Sequence, residues 1–462
     1  MAENKNNILY VLVTFSLLLL SATITGADIQ SNDQTSYILT DNTPARWTVM
    51  MYLACDTGRD RLLDNYFEIL TEIGSSNDVN IVGLIDSRKP GDTFFCYFEK
   101  NRVIPLSWYE SESDLAEPGT FERFLDLSMY LYPADDYALF TLSDFGSGWQ
   151  GIICDTNSGG GIESLSLITM PEVRGVLKKI TSNGTNKIDV WGIDVCIPCM
   201  LEVAYEIAPY VDYMVANEAQ GREGHYSDEG FLLDWNYIYF LQSLKDNPDM
   251  TPEQFATLIV DCYQAGTETL KIFGKITAPK WYPVVKFHTT LSAINLSKIN
   301  LVNNAVNTLA SNLTENLNIV KHEIKKARSQ TREYGKLYRR FWWLSFGILY
   351  DLQLDPLRHD CFIDLYDFAD KLKTKTNIQT IQDACDMVME SLNSTVIANE
   401  ATPYDPSYGL SIYFPELRCQ YDTSMWRTPF NKKFKKIPSP YKNLQFSQDN
   451  LWDEFLREYL KI

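Results

Sequence analysis

Histidine is the scarce residue of this 462-residue chain: only His225, His288, His322 and His359 occur. No two of them stand at metal-ligand spacing, which excludes a histidine-rich zinc site. The shortage also leaves few side chains able to serve as a general base near neutral pH. Positive charge is short as well, with 41 Lys and Arg against 60 Asp and Glu and a formal charge of −19. Nucleic-acid backbones are held by clustered cations that release counterions, so nucleic acid is excluded as a partner. The single basic stretch, Arg427 to Lys442, reads as a solvated loop. Nine cysteines are too few for a disulfide scaffold of this size. Long apolar runs are confined to the N-terminus, and no other segment reaches the ~18 residues of a membrane span. What the chain does have is 45% hydrophobic and 13% aromatic residues, ample for a large packed core.

Ile8 to Ala22 carries no charge, follows Lys5, and leads to Thr25, Ala27 and a polar run from Asp28. This is the layout of a secretory signal peptide over residues 1–27, with cleavage after Ala27. It predicts a secreted or extracytoplasmic protein. Left uncleaved, the same segment would be an anchor, and it is the only expected route to a membrane. Residues 28–45 read as a polar linker.

From there the pattern alternates. Trp47 to Ala54, Val79 to Ile85, Tyr137 to Leu142, Lys187 to Ile193 and Asp212 to Ala216 are apolar runs of strand length, as expected for strands buried on both faces. Arg61 to Ile73, Thr120 to Leu131, Pro171 to Ile180 and Met200 to Ile207 have helical spacing, and Phe94 to Leu106 reads as a hairpin. Asp155 to Gly161 reads as a loop. Strand and helix in alternation predict an α/β fold with a mostly parallel sheet flanked by helices, its core over 46–240. Residues 241–462 read as a helix-rich C-terminal extension of the same unit. Helices are expected at Glu253 to Ala265, Leu301 to Leu317 and Glu323 to Arg340, and a late strand at Tyr408 to Pro415.

In an open parallel sheet reactive groups gather beyond the carboxyl ends of the strands. Two such ends stand out. Asp194-Val195-Cys196 leaves a buried strand and enters a helix, whose N-terminus would favour a thiolate; a structural cysteine is the alternative. Asp144-Phe145-Gly146-Ser147-Gly148-Trp149 leaves another strand, and its glycines would let backbone N–H groups approach a ligand; alone, it is as readily a turn.

Together, in this order, these two strand ends resemble the clostripain family of cysteine peptidases (peptidase family C11), which has a caspase-like α/β fold. Trp47 to Ala54 is similar to the family's first strand, and Gly192 to Cys196 with Glu202 to Glu206 to its nucleophile strand and following helix. Asp212 to Glu218, Leu291 to Leu296 and Gly409 to Pro415 match later segments, so the resemblance spans about Trp47 to Tyr459. It implies that Cys196 holds the nucleophile position and that Gly146 supplies an oxyanion donor beside the Cys196 backbone N–H. It also implies that Asp194 binds Arg or Lys at the base of the S1 pocket, a task suited to a charge-assisted carboxylate bond. The partner implied is a peptide or protein with a basic P1 residue. No cofactor is required; some relatives respond to calcium, and no EF-hand-type loop is present to assign a site.

One residue departs from the family. Its motif at this point is Asp-His-Gly, the histidine acting as base and then acid, whereas here Phe145 stands in the place of the histidine. A thiol of pKa about 8.5 is already a few per cent ionised at neutral pH, so losing the base costs only one to two decades. Losing the acid is worse, because a peptide amine does not leave unprotonated; removal of a dyad or triad partner costs about four to six decades. The expectation is a weak or inactive homologue, or a non-catalytic peptide-binding one. His225, in the loop after the fifth strand, is the one candidate substitute base. Cys199 is a second departure: Cys196-Ile197-Pro198-Cys199 has the spacing of a thiol–disulfide oxidoreductase motif, and raises the alternative of a Cys196–Cys199 bridge.

Overall fold

A computed structural model describes residues 43–56, 62–143, 148–155, 166–219, 224–227, 230–233, 235–263, 289–334, 361–402, 407–422 and 439–462. All of them belong to one compact unit, 39–462. The predicted signal segment and most of the predicted linker lie outside the described residues, as do 427–438 of the basic stretch.

The strands in chain order are β1 (Ala45–Ala54), β2 (Val79–Asp86), β3 (Phe94–Glu99), β4 (Arg102–Leu106), β5 (Ala134–Ser143), β6 (Gly151–Asp155), β7 (Ser166–Thr169), β8 (Ile188–Asp194), β9 (Val211–Ala216), β10 (Gly224–Ser227), β11 (Gly230–Leu233), β12 (Thr290–Asn295), β13 (Glu333–Tyr334), β14 (Phe362–Asp364), β15 (Val396–Ala401) and β16 (Ser411–Tyr413). Nine of them form one sheet in the order β15-β12-β9-β8-β5-β1-β2-β3-β4. The central five, β9, β8, β5, β1 and β2, run parallel, and the pairs added at either edge are antiparallel. The mostly parallel α/β architecture is thus the one the alternating pattern predicts.

The central strands are apolar throughout because both faces are covered. Along β1, Met50, Tyr52 and Ala54 enter one core cluster while Trp47, Val49, Met51 and Leu53 enter the other, the period of two that a strand imposes. The first cluster is closed by the helices at Pro118–Leu131, Met170–Ile180, Leu201–Ile207 and Ile299–Glu315. The second is closed by those at Leu63–Ile73, Tyr237–Asp246 and Pro252–Asp261. The helix at Tyr237–Asp246 runs across position 240, and β12 and β15 join the main sheet, so the two halves of the chain share one scaffold.

Some expectations shift in detail. The helix expected over Glu323 to Arg340 runs instead from Leu317 to Gln330 and is followed by β13. The late strand is short, Ser411–Tyr413, pairing with β14. The loop expected at Asp155 to Gly161 begins inside a β6–β7 hairpin; 156–165 lie outside the described residues.

Candidate active site

The parallel strands end level with one another. Ala54 of β1 pairs with both Asp86 of β2 and Ser143 of β5, Leu142 pairs with Asp194 of β8, and Ile193 with Ala216 of β9. The ends of β5 and β8 therefore lie side by side on one rim of the sheet, which is where this class of sheet places its chemistry.

Cys196 lies in the bend that follows β8 and is partly exposed. The helix expected to begin at Met200 begins at Leu201, so the turn from Val195 to Met200 separates Cys196 from the helix start. The helix-dipole argument weakens accordingly, because that field fades within a turn. Backbone strain distinguishes the turn instead. Ile197 has φ +57°, a left-handed conformation rare for a β-branched residue. Its surroundings hold it there: the side chain is buried, Ile197 N–H donates to Ala219 O at 3.3 Å, and Cys199 N–H donates to Asn217 O at 3.0 Å. The turn is thus stitched to the segment leaving β9.

Cys199 is fully buried, and its Sγ donates to Gly409 O at 3.1 Å. Burial, reinforced by the Glu218 charge, pushes its thiol well above the usual range. Cys196 and Cys199 are not bridged to each other. An exchange pair needs a reachable, readily ionised thiol at the start of a helix; Cys199 is occluded and the helix begins after it. The Cys-Ile-Pro-Cys spacing here serves the turn, with Cys199 as its inner anchor.

Asp194 ends β8 on the opposite face from Ile193 and is 4% exposed. Tyr237 Oη–H donates to its Oδ2 at 3.1 Å. Tyr237 in turn stacks on Trp235 and meets Tyr66 and Phe140 edge-on. Gly192 permits this packing: a Cβ there would lie 2.5 Å from the Phe140 ring and 3.1 Å from Trp235. One oxygen of the carboxylate is thus fixed by a phenol that is itself held in an aromatic cluster.

Behind the turn lies a layer of buried acids with no counterpart in the predicted site. Glu202, on the helix after the turn, accepts Tyr413 N–H at 2.9 Å and Tyr441 Oη–H at 2.8 Å; burial still raises it to about 7. Glu206, one turn on, accepts Phe446 N–H at 3.1 Å and pairs with Arg174 at 3.1 Å. Glu218, just past β9, accepts Gly409 N–H at 2.9 Å and the Ser407 hydroxyl. Asp364 accepts Tyr408 N–H and Asp367 N–H, each at 2.7 Å, and burial together with the Glu218 charge pushes it well up. Glu202, Glu206 and Glu218 cap backbone N–H groups of segments some 200 residues away and hold the C-terminal part against the turn, while Asp364 caps N–H groups nearer to it in sequence. The one available signal was Glu202 and Glu206 at helical spacing within an otherwise apolar helix.

Asp144, Phe145, Gly146 and Ser147 lie outside the described residues. Just beyond them, Gly148 has φ +55°, and a Cβ on it would fall 2.5 Å from Met200 Sδ. Gly148 therefore packs against the end of the Cys196 turn. Of the histidines, His322 is exposed on the helix Leu317–Gln330. His225 is in β10, opposite Leu232, with its side chain outside the described residues, as are His288 and His359. Among the described residues no helix is long and apolar enough to cross a membrane.

Among curated proteins none matches the chain. Solved structures similar in fold include two C11 proteases. One is a secreted C11 cysteine protease from Bacteroides thetaiotaomicron in complex with an irreversible peptide inhibitor, with TM-score 0.52 and 15% identity, covering 80% of this chain and 93% of that one. The other is an inactive zymogen C11 protease from Parabacteroides distasonis, with TM-score 0.55 and 18% identity, covering 89% and 99%. At these identities the likeness speaks to fold alone. The clostripain family model matches residues 51–459, which takes in both strand ends, the Cys196 turn and the late strands packed behind it: the chain belongs to the clostripain family, a homologue of its cysteine proteases.

Proposed function

We propose that this protein is a secreted clostripain homologue that recognises peptides with Arg or Lys at P1 and cleaves them weakly or not at all. The observation that carries the reading is Asp194 and Cys196 leaving one strand end, with Phe145 in the segment leaving the neighbouring strand. Asp194 supplies the carboxylate for a basic side chain. Cys196 stands where a nucleophile would attack the scissile carbonyl. Full chemistry would form a thioester and release an amine, then hydrolyse the thioester with water. The amine must be protonated as it leaves, and Phe145 has no proton to give. The binding half of the apparatus is thus kept and the proton-transfer half is lost. No step of this reading requires a cofactor. Export is read from residues 1–27, followed by a linker over 28–45 and a single unit from residue 46 onward.

The test is an assay on a peptide substrate with Arg at P1, comparing the native protein with Cys196→Ala. The expected outcome is negligible turnover in both, with saturable binding of the substrate. Robust native cleavage abolished by Cys196→Ala would overturn the inactive reading.

A further inference from the structure

Asp194 has a polar neighbour on its own face of the sheet. Ile193 pairs with Ala216 across β8 and β9, so Asp194 and Asn217 are the next residues along two adjacent chains. Ile193 and Ala216 enter the first core cluster, Val190 and Val215 the second, and alternation turns Asp194 and Asn217 toward that second side. Glu218, one residue on, points back to the first side, where it accepts the Tyr334 hydroxyl at 3.4 Å. The backbone holds this orientation. Asn217 O accepts Cys199 N–H at 3.0 Å, and the Glu218 and Ala219 N–H groups donate to the Thr290 hydroxyl at 2.9 and 3.2 Å.

The main chain of Asn217 is thus engaged, whereas its side chain is not. Asn217 is 1% exposed, and neither its Oδ1 nor its Nδ2 has a hydrogen-bond partner among the described residues. A buried amide that makes none of its bonds forfeits those it made in water, and folded proteins retain few such groups. For packing alone an apolar residue would serve better here. Thr289, which alternation from Leu291 and Ala293 puts on the same side, leaves a buried hydroxyl unpartnered as well. Unmade bonds at a strand end beside a carboxylate mark a place for a ligand with several donors.

We propose that Asn217 is a specificity-determining residue: its side-chain oxygen accepts a hydrogen bond from the guanidinium of a P1 arginine held at Asp194, so that the site prefers Arg to Lys. The inference rests on the reading of Asp194 as the P1 carboxylate. Asp194 is itself 4% exposed, so a P1 side chain that reaches it opens this face, and Asn217 is the next side chain on the neighbouring chain. A guanidinium is a planar fork of five N–H donors, which can give to a carboxylate along one edge and to an amide oxygen from another N–H. Lysine gathers its donors around one nitrogen, and once that nitrogen is on Asp194 an acceptor one strand away, roughly 5 Å, stays unpaired. A buried acceptor that the wrong ligand leaves unpaired is a strong discriminator.

The test is calorimetric binding of two capped pentapeptides, identical except for Arg or Lys at P1, to the full-length protein carrying Cys196→Ala so that no turnover intervenes. The Arg peptide should bind more tightly by about tenfold, the worth of one hydrogen bond from a charged donor. Adding Asn217→Leu, which keeps the branched outline without polar atoms, should reduce that preference by about fivefold or more. Asp194→Asn, in contrast, should weaken both peptides. If Asn217→Leu does not fold, Asn217→Ala carries the same expectation. Equal affinity for the two peptides, or a preference unchanged in folded Asn217→Leu, while Asp194→Asn weakens both, would overturn the role of Asn217 and leave that of Asp194 standing. Binding of neither peptide, or binding indifferent to Asp194→Asn, would overturn the reading of Asp194 and this inference with it.

Discussion

Cys199 and Ser411, 212 residues apart, are joined twice: the Cys199 carbonyl accepts both the N–H and the hydroxyl of Ser411, each at 3.0 Å. The Cys199 sulfur adds a third link to Gly409 next door. The turn that carries Cys196 is therefore built from both ends of the chain.

The first prediction follows from that junction. Cys199→Ala keeps the carbonyl bonds but removes a buried thiol and its contact, so it should lower stability by about 1–2 kcal/mol in denaturant unfolding. In the native protein an alkylating reagent should modify Cys196 and spare Cys199 until the protein unfolds. Equal labelling of both would contradict the burial of Cys199.

Ile197 provides the second. Glycine would relieve the left-handed strain, worth about 1–2 kcal/mol, yet it would empty a buried site whose loss costs about 2–5 kcal/mol. The cavity term wins, and Ile197→Gly should be less stable by about 1–3 kcal/mol. A more stable variant would mean that the side chain contributes little to the core.

Much of the scaffold was legible because its strands are buried on both faces, and such strands write themselves as continuous apolar runs. Trp47 to Ala54 and Val79 to Ile85 are examples. The β6–β7 hairpin was not legible, since the Gly- and Ser-rich stretch between its strands carries no periodic signal. The placement of Asp194 at the end of β8 and of Cys196 in the bend after it was readable, because the strand before them is a continuous apolar run. Glu202, Glu218 and Asp364 were not, because their meaning depends on backbone donors brought from distant segments. The strain at Ile197 leaves no mark in composition at all.

The third prediction concerns Tyr237. Its hydroxyl fixes one oxygen of Asp194, so Tyr237→Phe should cost about 1 kcal/mol of stability by removing a buried hydrogen bond. It should also weaken binding of an Arg-P1 peptide, measurable by calorimetry. Asp194→Asn should weaken that binding more, by at least tenfold, with little effect on a peptide bearing a neutral P1 residue.

Glu202 gives a pH dependence. Burial raises it from its ordinary value of 4.5 to about 7 in the folded protein. Its folded pKa lies above the unfolded one, so its contribution is fully present below about pH 4.5 and is lost as pH rises through about 7. Glu202→Gln removes this titration; stability measured from pH 5 to pH 8 should fall less steeply in the variant, by ~3 kcal/mol across the range. Parallel profiles would show that Glu202 keeps an ordinary pKa in the fold.

The most direct measurement is the rate of cleavage of a peptide with Arg at P1 by Phe145→His relative to native protein. An imidazole at position 145, where the family motif has one, would supply both the base and the acid, so kcat/KM should rise by at least a hundredfold, and the added Cys196→Ala change should abolish the gain. Native turnover already equal to that of Phe145→His would contradict the account, because proton transfer would then come from a group other than residue 145.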